Sequence, residues 1–266
     1  MLMFNDPKNN PVIQRAISGK YTFSVKSVLK QSWEVTKADK LAVIIGFVFA
    51  MAVSIGVQYG IVMMFGGGAE DNQSMSGIGN LVATLVAAPF WAGLDMMALR
   101  RTRGGPIAVT DMFNFLKYFA PLALVQVIIT FLVQVGLILL ILPGIYIAVG
   151  TTFALMLMLE KGLSPMQSVI ISIRAAHHQW FKVFLVFLAI TPVLAVGALP
   201  MAVYMSGEGM DAVKGTLAFS LVLIWGLPML YYAKGFMYQE IFKELEQEPE
   251  NVPSDSTSDD QGSFSA

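Results

Sequence analysis

Asp95 and Lys234 are the two charged side chains that lie inside the long, otherwise uncharged apolar segments of the sequence. If such a segment crosses a membrane, a carboxylate or ammonium in it often marks a path for ions or protons. Asp95 precedes Arg100 by five residues, about 7 Å along a helix, so we expect it near one boundary of its segment. Lys234 lies at a similar depth. We predict that the two form an intramembrane ion pair, with an ion path as the alternative.

A second polar pattern consists of residues spaced four apart. Ser54 and Gln58 share one face of a helix, and Gln126, Thr130 and Gln134 share one face of another. Buried amides and hydroxyls of this kind commonly hydrogen-bond between closely packed membrane helices. Helix packing is therefore the predicted role of these polar faces, and a path for a polar solute is the alternative.

The sequence lacks the usual patterns of catalytic and metal sites. His177 and His178 are adjacent, so on a helix their side chains point about 100° apart, and the chain has no cysteine to complete a set of ligands. It also has no nucleophile elbow, phosphate-binding loop or HExxH motif. We therefore predict no catalytic residues, no metal site and no cofactor.

The composition is that of an integral membrane protein. Of 266 residues, 56% are apolar and only 13% are charged, and the mean hydropathy is +0.65. A soluble domain has roughly 25% charged residues, because its surface must be solvated. The net charge of −1 argues against a nucleic-acid partner. Because the composition is that of a membrane protein, the predicted partner is the lipid bilayer.

The apolar segments predict an all-α fold with six transmembrane helices. A helix needs about 20 mainly apolar residues to cross about 30 Å of hydrocarbon. The run 119–159 has 41 residues without a charge, about 60 Å as a helix, so it must turn, and Pro143-Gly144 is the predicted turn. The predicted spans form three hairpins: 41–65, 78–99, 119–142, 144–159, 183–204 and 217–238.

The distribution of lysine and arginine predicts the orientation. Alternate sides of the six spans carry 16 and 1 of the 17 basic residues, and residues 1–40 alone carry seven. The positive-inside rule then places both termini in the cytoplasm. We expect residues 1–40 to be a cytoplasmic segment with an amphipathic helix. Residues 239–266 form an acidic cytoplasmic tail, which we predict to be disordered from about residue 247.

Three cytoplasmic segments have apolar residues at helical spacing, and they suggest an internal repeat. Ser24–Lys37 and Thr110–Lys117 are two of them, and the third begins at Ser164-Pro165, a typical helix start. Each precedes one of the predicted hairpins. The order of interfacial helix, span, turn and span predicts a threefold repeat.

The stretch 131–187 carries a recognisable pattern: an apolar helix ending in Pro-Gly-Ile, a second helix, a polar turn, and a Ser-containing helix with a basic residue. It resembles uncharacterised bacterial inner-membrane proteins of the YciC type and, more distantly, the membrane domain attached to some glycerophosphodiester phosphodiesterases. The resemblance implies this architecture and a bacterial inner membrane, and it implies no reaction or ligand. The residues that carry the pattern include Pro143, Gly144, Glu160, Ser164 and Arg174.

Together these features predict an inner-membrane protein without catalytic activity. The predicted role is structural or accessory in the bacterial envelope, together with other membrane proteins or with copies of itself. The alternative is a transporter or channel for a small solute or lipid. A transporter should have a polar cavity that reaches the middle of the membrane, whereas an accessory protein should be a closed, packed bundle.

Overall fold

The computed structural model describes residues 6–65, 72–204 and 210–243, and within these ranges the chain is helical, without a β-strand. The predicted tail and the predicted outer loops near residues 70 and 207 fall wholly or partly outside the described residues. Two 3₁₀ helices, Pro7–Asn9 and Val109–Tyr118, accompany the α-helices. These are α1 (Pro11–Ile17), α2 (Val25–Ala38), α3 (Leu41–Phe65), α4 (Asn72–Thr102), α5 (Phe119–Leu139), α6 (Ile141–Gly150), α7 (Ala154–Lys161), α8 (Pro165–His177), α9 (Trp180–Tyr204) and α10 (Met210–Ile241).

Four helical segments among the described residues are long and apolar enough to cross a membrane: 41–64, 77–102, 109–139 and 141–161. The predicted fifth and sixth spans lie within α9 and α10, which are 25 and 32 residues long. In α9 and α10, the described side chains lie mainly near the ends at residues 180 and 241. The structure by itself therefore supports four membrane spans. The all-helical prediction is confirmed, and the fold is compatible with an integral membrane protein.

Helices α4 and α10 are longer than the spans predicted within them. With 31 and 32 residues, each extends for about 47 Å, whereas the hydrocarbon core is about 30 Å thick. The predicted spans 78–99 and 217–238 therefore lie inside longer helices. Toward their C-terminal ends, Leu99 of α4 and Tyr238 and Ile241 of α10 join a buried apolar cluster with residues of the short helices around 11–38 and 154–177.

The predicted turn at Pro143-Gly144 is wrong. The break between α5 and α6 is at Leu140, whose backbone is extended, and Pro143 lies in the first turn of α6. Proline is tolerated there because the first amides of a helix have no partner within it. Gly144 serves close packing instead, since a Cβ on Gly136 would lie 2.9 Å from the Gly144 Cα across the α5–α6 contact.

The predicted fourth span, 144–159, is not one continuous helix. It is interrupted at 151–153, between α6 and α7. Ser172 of α8 bridges the break: its hydroxyl donates to the Gly150 carbonyl at 2.6 Å, and the Phe153 amide donates to the same hydroxyl oxygen at 3.2 Å. A helix break inside the protein needs such a partner, because an unpaired buried backbone group is costly.

The segments predicted to lie at the membrane interface are helical, although one has a different geometry. α2 matches the predicted helix Ser24–Lys37 to within one residue at each end. The segment Thr110–Lys117 lies within the 3₁₀ helix Val109–Tyr118. α8 begins as predicted at Ser164, whose hydroxyl accepts from the Gln167 amide in a capping box.

The residues before α2 form a strap that sequence analysis did not anticipate. α1 packs against α8, and the Tyr21 hydroxyl donates to the Ala175 carbonyl at 2.5 Å. Gly19 has a φ of +72°, and the His178 ring lies where a Cβ would project from it. Glycine permits both the positive φ and this close approach. The strap thus joins the N-terminal segment to the corner between α8 and α9.

Candidate functional site: a polar cavity beside α4

Helix α4 is the centre of the arrangement. It packs against α3 on one side, α5 on another and α10 on a third, and the 3₁₀ helix Val109–Tyr118 crosses it. That crossing is close because residue 93 is a glycine: a Cβ there would lie 2.9 Å from the Met112 Cα. Side chains on α4 can therefore meet groups from several other helices.

The structure brings Asp95 and Lys234 together. Lys234 Nζ of α10 donates to Asp95 Oδ1 of α4 at 2.6 Å. Asp95 is 3% exposed and the Lys234 side chain 17%, so the pair is largely shielded from the surroundings. The ammonium also lies 5.5 Å from the centre of the Tyr231 ring. This is the geometry required for the pairing predicted from the sequence.

A cavity of about 460 Å³ adjoins this ion pair. It unites groups that the sequence placed on separate helices, because Ser54 and Gln58 of α3 and Gln126 of α5 line it together with both charged residues. The remaining wall residues comprise both polar and apolar side chains: Met51, Ile55, Asn80, Ala83, Thr84, Trp91, Leu155 and Tyr231.

The cavity is long in the direction of the helix axes. Its lining on α4 extends from Asn80 to Asp95, fifteen residues or about 22 Å. A hydrocarbon core is about 30 Å thick, so a cavity of this length along a membrane-crossing helix passes the midplane. One end of the cavity lies near the basic C-terminal end of α4, where Arg100, Arg101 and Arg103 lie.

Among the described residues, no helix covers one side of the cavity. In the described part of the chain, α3 and α5 each pack against α4 but make no substantial contact with each other. Ile55 lines the cavity and is nevertheless 57% exposed. Leu81, in the N-terminal half of α4, is 49% exposed. The cavity therefore has an opening at the surface between α3 and α5.

Two of the five predicted polar-face residues lie elsewhere. Thr130 is half-buried and Gln134 is exposed, and neither lines the cavity. Only the first residue of the α5 stripe, Gln126, reaches it, because successive members of the stripe lie about 6 Å further along the helix. The shared face predicted on α5 therefore contributes one residue to the site.

Asn80, Thr84 and Tyr231 line the cavity but were not singled out from the sequence. A signal for the first two was present. Asn80 and Thr84 are separated from Asp95 by 15 and 11 residues, which places all three on one face of a helix. Tyr231 precedes Lys234 by three residues and so shares its face of α10.

The residues of the family-like pattern lie away from the cavity. Glu160 on α7 accepts from Arg103 at 2.7 Å, which joins the basic end of α4 to α7. Two further ion pairs hold this end of α4, Arg100–Asp111 at 3.4 Å and Arg101–Asp39 at 3.2 Å. Ser164 caps α8 and Arg174 is exposed on it, whereas Pro143 and Gly144 belong to the α5–α6 contact.

The adjacent histidines are engaged with protein groups. The Tyr146 hydroxyl lies 2.8 Å from His177 Nδ1, and His178 Nε2 lies 2.6 Å from the Ile17 carbonyl oxygen. Among the residues whose positions are described, no three His, Asp or Glu side chains are grouped so that they could hold a metal ion.

Comparisons with known proteins do not assign this chain to a family. No protein-family model, curated protein or solved structure matches it. The functional interpretation therefore depends on the cavity and its ion pair.

Proposed function

We propose that this chain is a membrane protein that binds a polar ligand in the cavity beside α4 and conducts it across the membrane. This is the transporter or channel alternative, and it replaces the structural or accessory role. The observation that carries the proposal is the cavity itself, about 22 Å long, with an ion pair at one end and amides along its walls.

Polar side chains at membrane depth support this proposal. Amide and hydroxyl side chains at membrane depth are costly unless protein, water or a ligand satisfies them. The Ser54 hydroxyl donates to the Ala50 carbonyl at 2.9 Å, and Thr84 donates to the Asn80 carbonyl at 2.8 Å. Gln58 and Gln126 line open space instead. A closed bundle of the accessory type would fill that space with side chains.

The size and chemistry of the cavity indicate a small polar ligand. Its volume of about 460 Å³ lies in the range of small-molecule sites, roughly 300–1,000 Å³. Asp95 and Lys234 supply one charge of each sign, and the amides supply both donors and acceptors. The proposed function is binding and conduction without catalysis.

The proposed topology has six spans, with α9 and α10 as the fifth and sixth, and both termini in the cytoplasm of a bacterium. The charge asymmetry of 16 to 1 supports this orientation, which makes the basic end of α4 cytoplasmic. The resemblance to YciC-type proteins supports the inner membrane. Single cysteines at residues 20, 105 and 170 should then react from the cytoplasm, and those at 70, 143 and 210 from the periplasm. Reaction of the first set from the periplasm would contradict this topology.

The element order supports the proposed threefold repeat. A short helix precedes two long helical segments in α2–α3–α4, in the 3₁₀ helix with α5 and α6–α7, and in α8–α9–α10. The second unit differs from the others, because its first helix is 3₁₀ and its last is broken.

Thiol labelling tests the proposed function, because the native chain has no cysteine. Ser54→Cys, Gln58→Cys and Gln126→Cys should react with a charged, membrane-impermeant methanethiosulfonate reagent. Leu124→Cys is the matched control, since Leu124 is exposed on α5 two residues from Gln126 and does not line the cavity. Labelling of the three cavity positions from both sides of the membrane supports conduction. If none of them reacts, the cavity has no aqueous entrance from either side, and conduction of a water-soluble ligand through it is contradicted.

A further inference from the structure

We infer that the ligand of this cavity is the headgroup of a membrane lipid that carries both a phosphate and an amine, and that it enters sideways between α3 and α5. This inference rests on the proposed function, because it requires the cavity to be an open binding site. It adds the class of ligand and the direction of entry.

The direction of entry follows from the position of the opening. α3 and α5 flank α4 without substantial contact between them in the described residues, and the gap exposes Ile55 and Leu81. Both side chains are apolar, and Val48 and Tyr59, on the same face of α3 as Ile55, are exposed as well. Such a surface faces acyl chains, so the cavity opens toward the bilayer at this gap.

A polar cavity that opens toward acyl chains selects an amphiphile. Hydrocarbon cannot satisfy the amides of Gln58 and Gln126, and a water-soluble solute would have to cross hydrocarbon to use this opening. A lipid meets both conditions, because its headgroup occupies the polar cavity while its chains remain in the bilayer. A volume of about 460 Å³ suits a small headgroup without the chains.

The charges of the cavity determine the kind of headgroup. The Lys234 ammonium can bind a phosphate, and the Asp95 carboxylate can bind an amine. When a zwitterion replaces the internal pair, each protein charge exchanges one partner for another, so neither is left buried and unpaired. A headgroup with a single charge would leave one of them stranded. The Trp91 ring on the cavity wall offers a further surface for the cationic group.

Trp91 also provides the reporter for the test. The full-length protein is reconstituted in vesicles of phosphatidylethanolamine and phosphatidylglycerol that contain a minor fraction of phosphatidylcholine with a nitroxide on its headgroup. The contribution of Trp91 is the difference in fluorescence between the unmodified chain and Trp91→Phe. Near the middle of the membrane, Trp91 lies out of reach of a nitroxide at the bilayer surface, so we expect quenching because the labelled headgroup enters the cavity.

Two paired variants make the test specific. Asp95→Asn with Lys234→Met removes both charges of the cavity and should abolish the quenching. Lys30→Gln with Glu34→Gln removes an exposed ion pair on α2, 3.9 Å apart, and should leave the quenching unchanged. Equal quenching in the cavity variant would overturn the assignment of the ion pair as the recognition element.

The test separates this inference from the proposed function. If the headgroup label does not quench Trp91 while Gln58→Cys and Gln126→Cys react with the thiol reagent, the cavity is open but takes no lipid headgroup, and the lipid inference falls alone. A change in Trp91 emission on addition of free phosphoethanolamine would then indicate a water-soluble ligand. Absence of both quenching and thiol reaction would overturn both proposals.

Discussion

Helices α3 and α4 are neighbours in sequence and in space, yet their surroundings are opposite. Within the best membrane-spanning window of each, 17% of α3 is buried inside the protein, against 61% of α4. α3 is also the more apolar, with a mean hydropathy of 2.3 against 1.6. The less hydrophobic helix is thus the central one, because its polar residues need protein or a cavity around them, whereas lipid suffices for the other.

The glycines of the two helices show the same contrast. Cβ atoms added at Gly56 and Gly60 of α3 would meet nothing within 4 Å, whereas one at Gly93 of α4 would press on the Met112 backbone. Glycine is thus required at residue 93 of α4 for close approach and is incidental at residues 56 and 60 of α3, whereas Gly46 of α3 lies close to Met112 and Leu94. The length of an apolar helix can therefore be predicted from the sequence. Which of its positions tolerate a larger side chain depends on the helices packed against it.

Removal of one charge from α4 or from its partner should have the largest effect. Asp95→Asn and Lys234→Met should each lower the free energy of unfolding by about 3 kcal/mol, because each strands the opposite charge in a buried site. The double variant should recover part of the loss. Thermal unfolding in mild detergent measures all three. Additive losses would show that the two side chains do not act as a pair.

A methyl group added at a glycine should lower the stability of the protein when it is on α4 but not when it is at residue 56 of α3. Gly93→Ala should destabilise the protein by about 2 kcal/mol, because the backbone of the 3₁₀ helix at Met112 must move. Gly56→Ala is the matched control and should be neutral or slightly stabilising, since alanine is the better helix former. The comparison uses the same unfolding measurement. Equal costs at the two positions would mean that α3 is covered as closely as α4.

The break between α6 and α7 is stabilised by a side chain of another helix, whereas α3 and α4 are continuous. Ser172→Ala should lower stability by roughly 1–2 kcal/mol, because it leaves the Phe153 amide and the Gly150 carbonyl without their partner. Ser168→Ala is the control, since that buried hydroxyl donates at 2.8 Å to Pro165 of its own helix. Slower amide exchange at Phe153 in the variant would contradict the bridging role.

Outside the membrane-spanning helices, the N-terminal strap should respond to alkaline pH. Burial raises the pKa of Tyr21 from 10.0 to about 12. Its neutral form stabilises the folded state fully below pH 10, and this contribution is lost as the pH rises through 12, because the unfolded state ionises first. Stability of the unmodified chain relative to Tyr21→Phe, measured near pH 8 and pH 11, should therefore fall with pH. A constant difference would show that Tyr21 is not shielded from water.

Sequence analysis located the elements that local patterns determine. The limits of α3 coincide with the predicted span 41–65, and the start of α8 follows from the Ser164 cap. Asp95 and Lys234 were identified as partners because charges are rare in apolar segments and these two lie at similar depths. Each of these features depends on spacing, charge or a cap within a short stretch of chain.

Features that depend on distant contacts were missed. Pro143-Gly144 is as compatible with the first turn of a helix as with a reversal, and only the Gly136–Gly144 contact distinguishes them. The break between α6 and α7 depends on Ser172, some twenty residues away in the chain. The cavity depends on α3, α5 and α10 meeting at α4, which no periodicity within one helix specifies.

The polar cavity beside α4 can be detected from the accessibility of this helix to water and to oxygen. Nitroxides attached at Thr84→Cys and Leu81→Cys lie one turn apart on the same helix at nearly the same depth, the first in the cavity and the second at the exposed surface. In lipid vesicles, Thr84 should collide readily with a water-soluble nickel complex and Leu81 with dissolved oxygen. If both positions favour oxygen, or if neither is reached by the nickel complex, α4 has no polar cavity beside it and the proposed function is wrong.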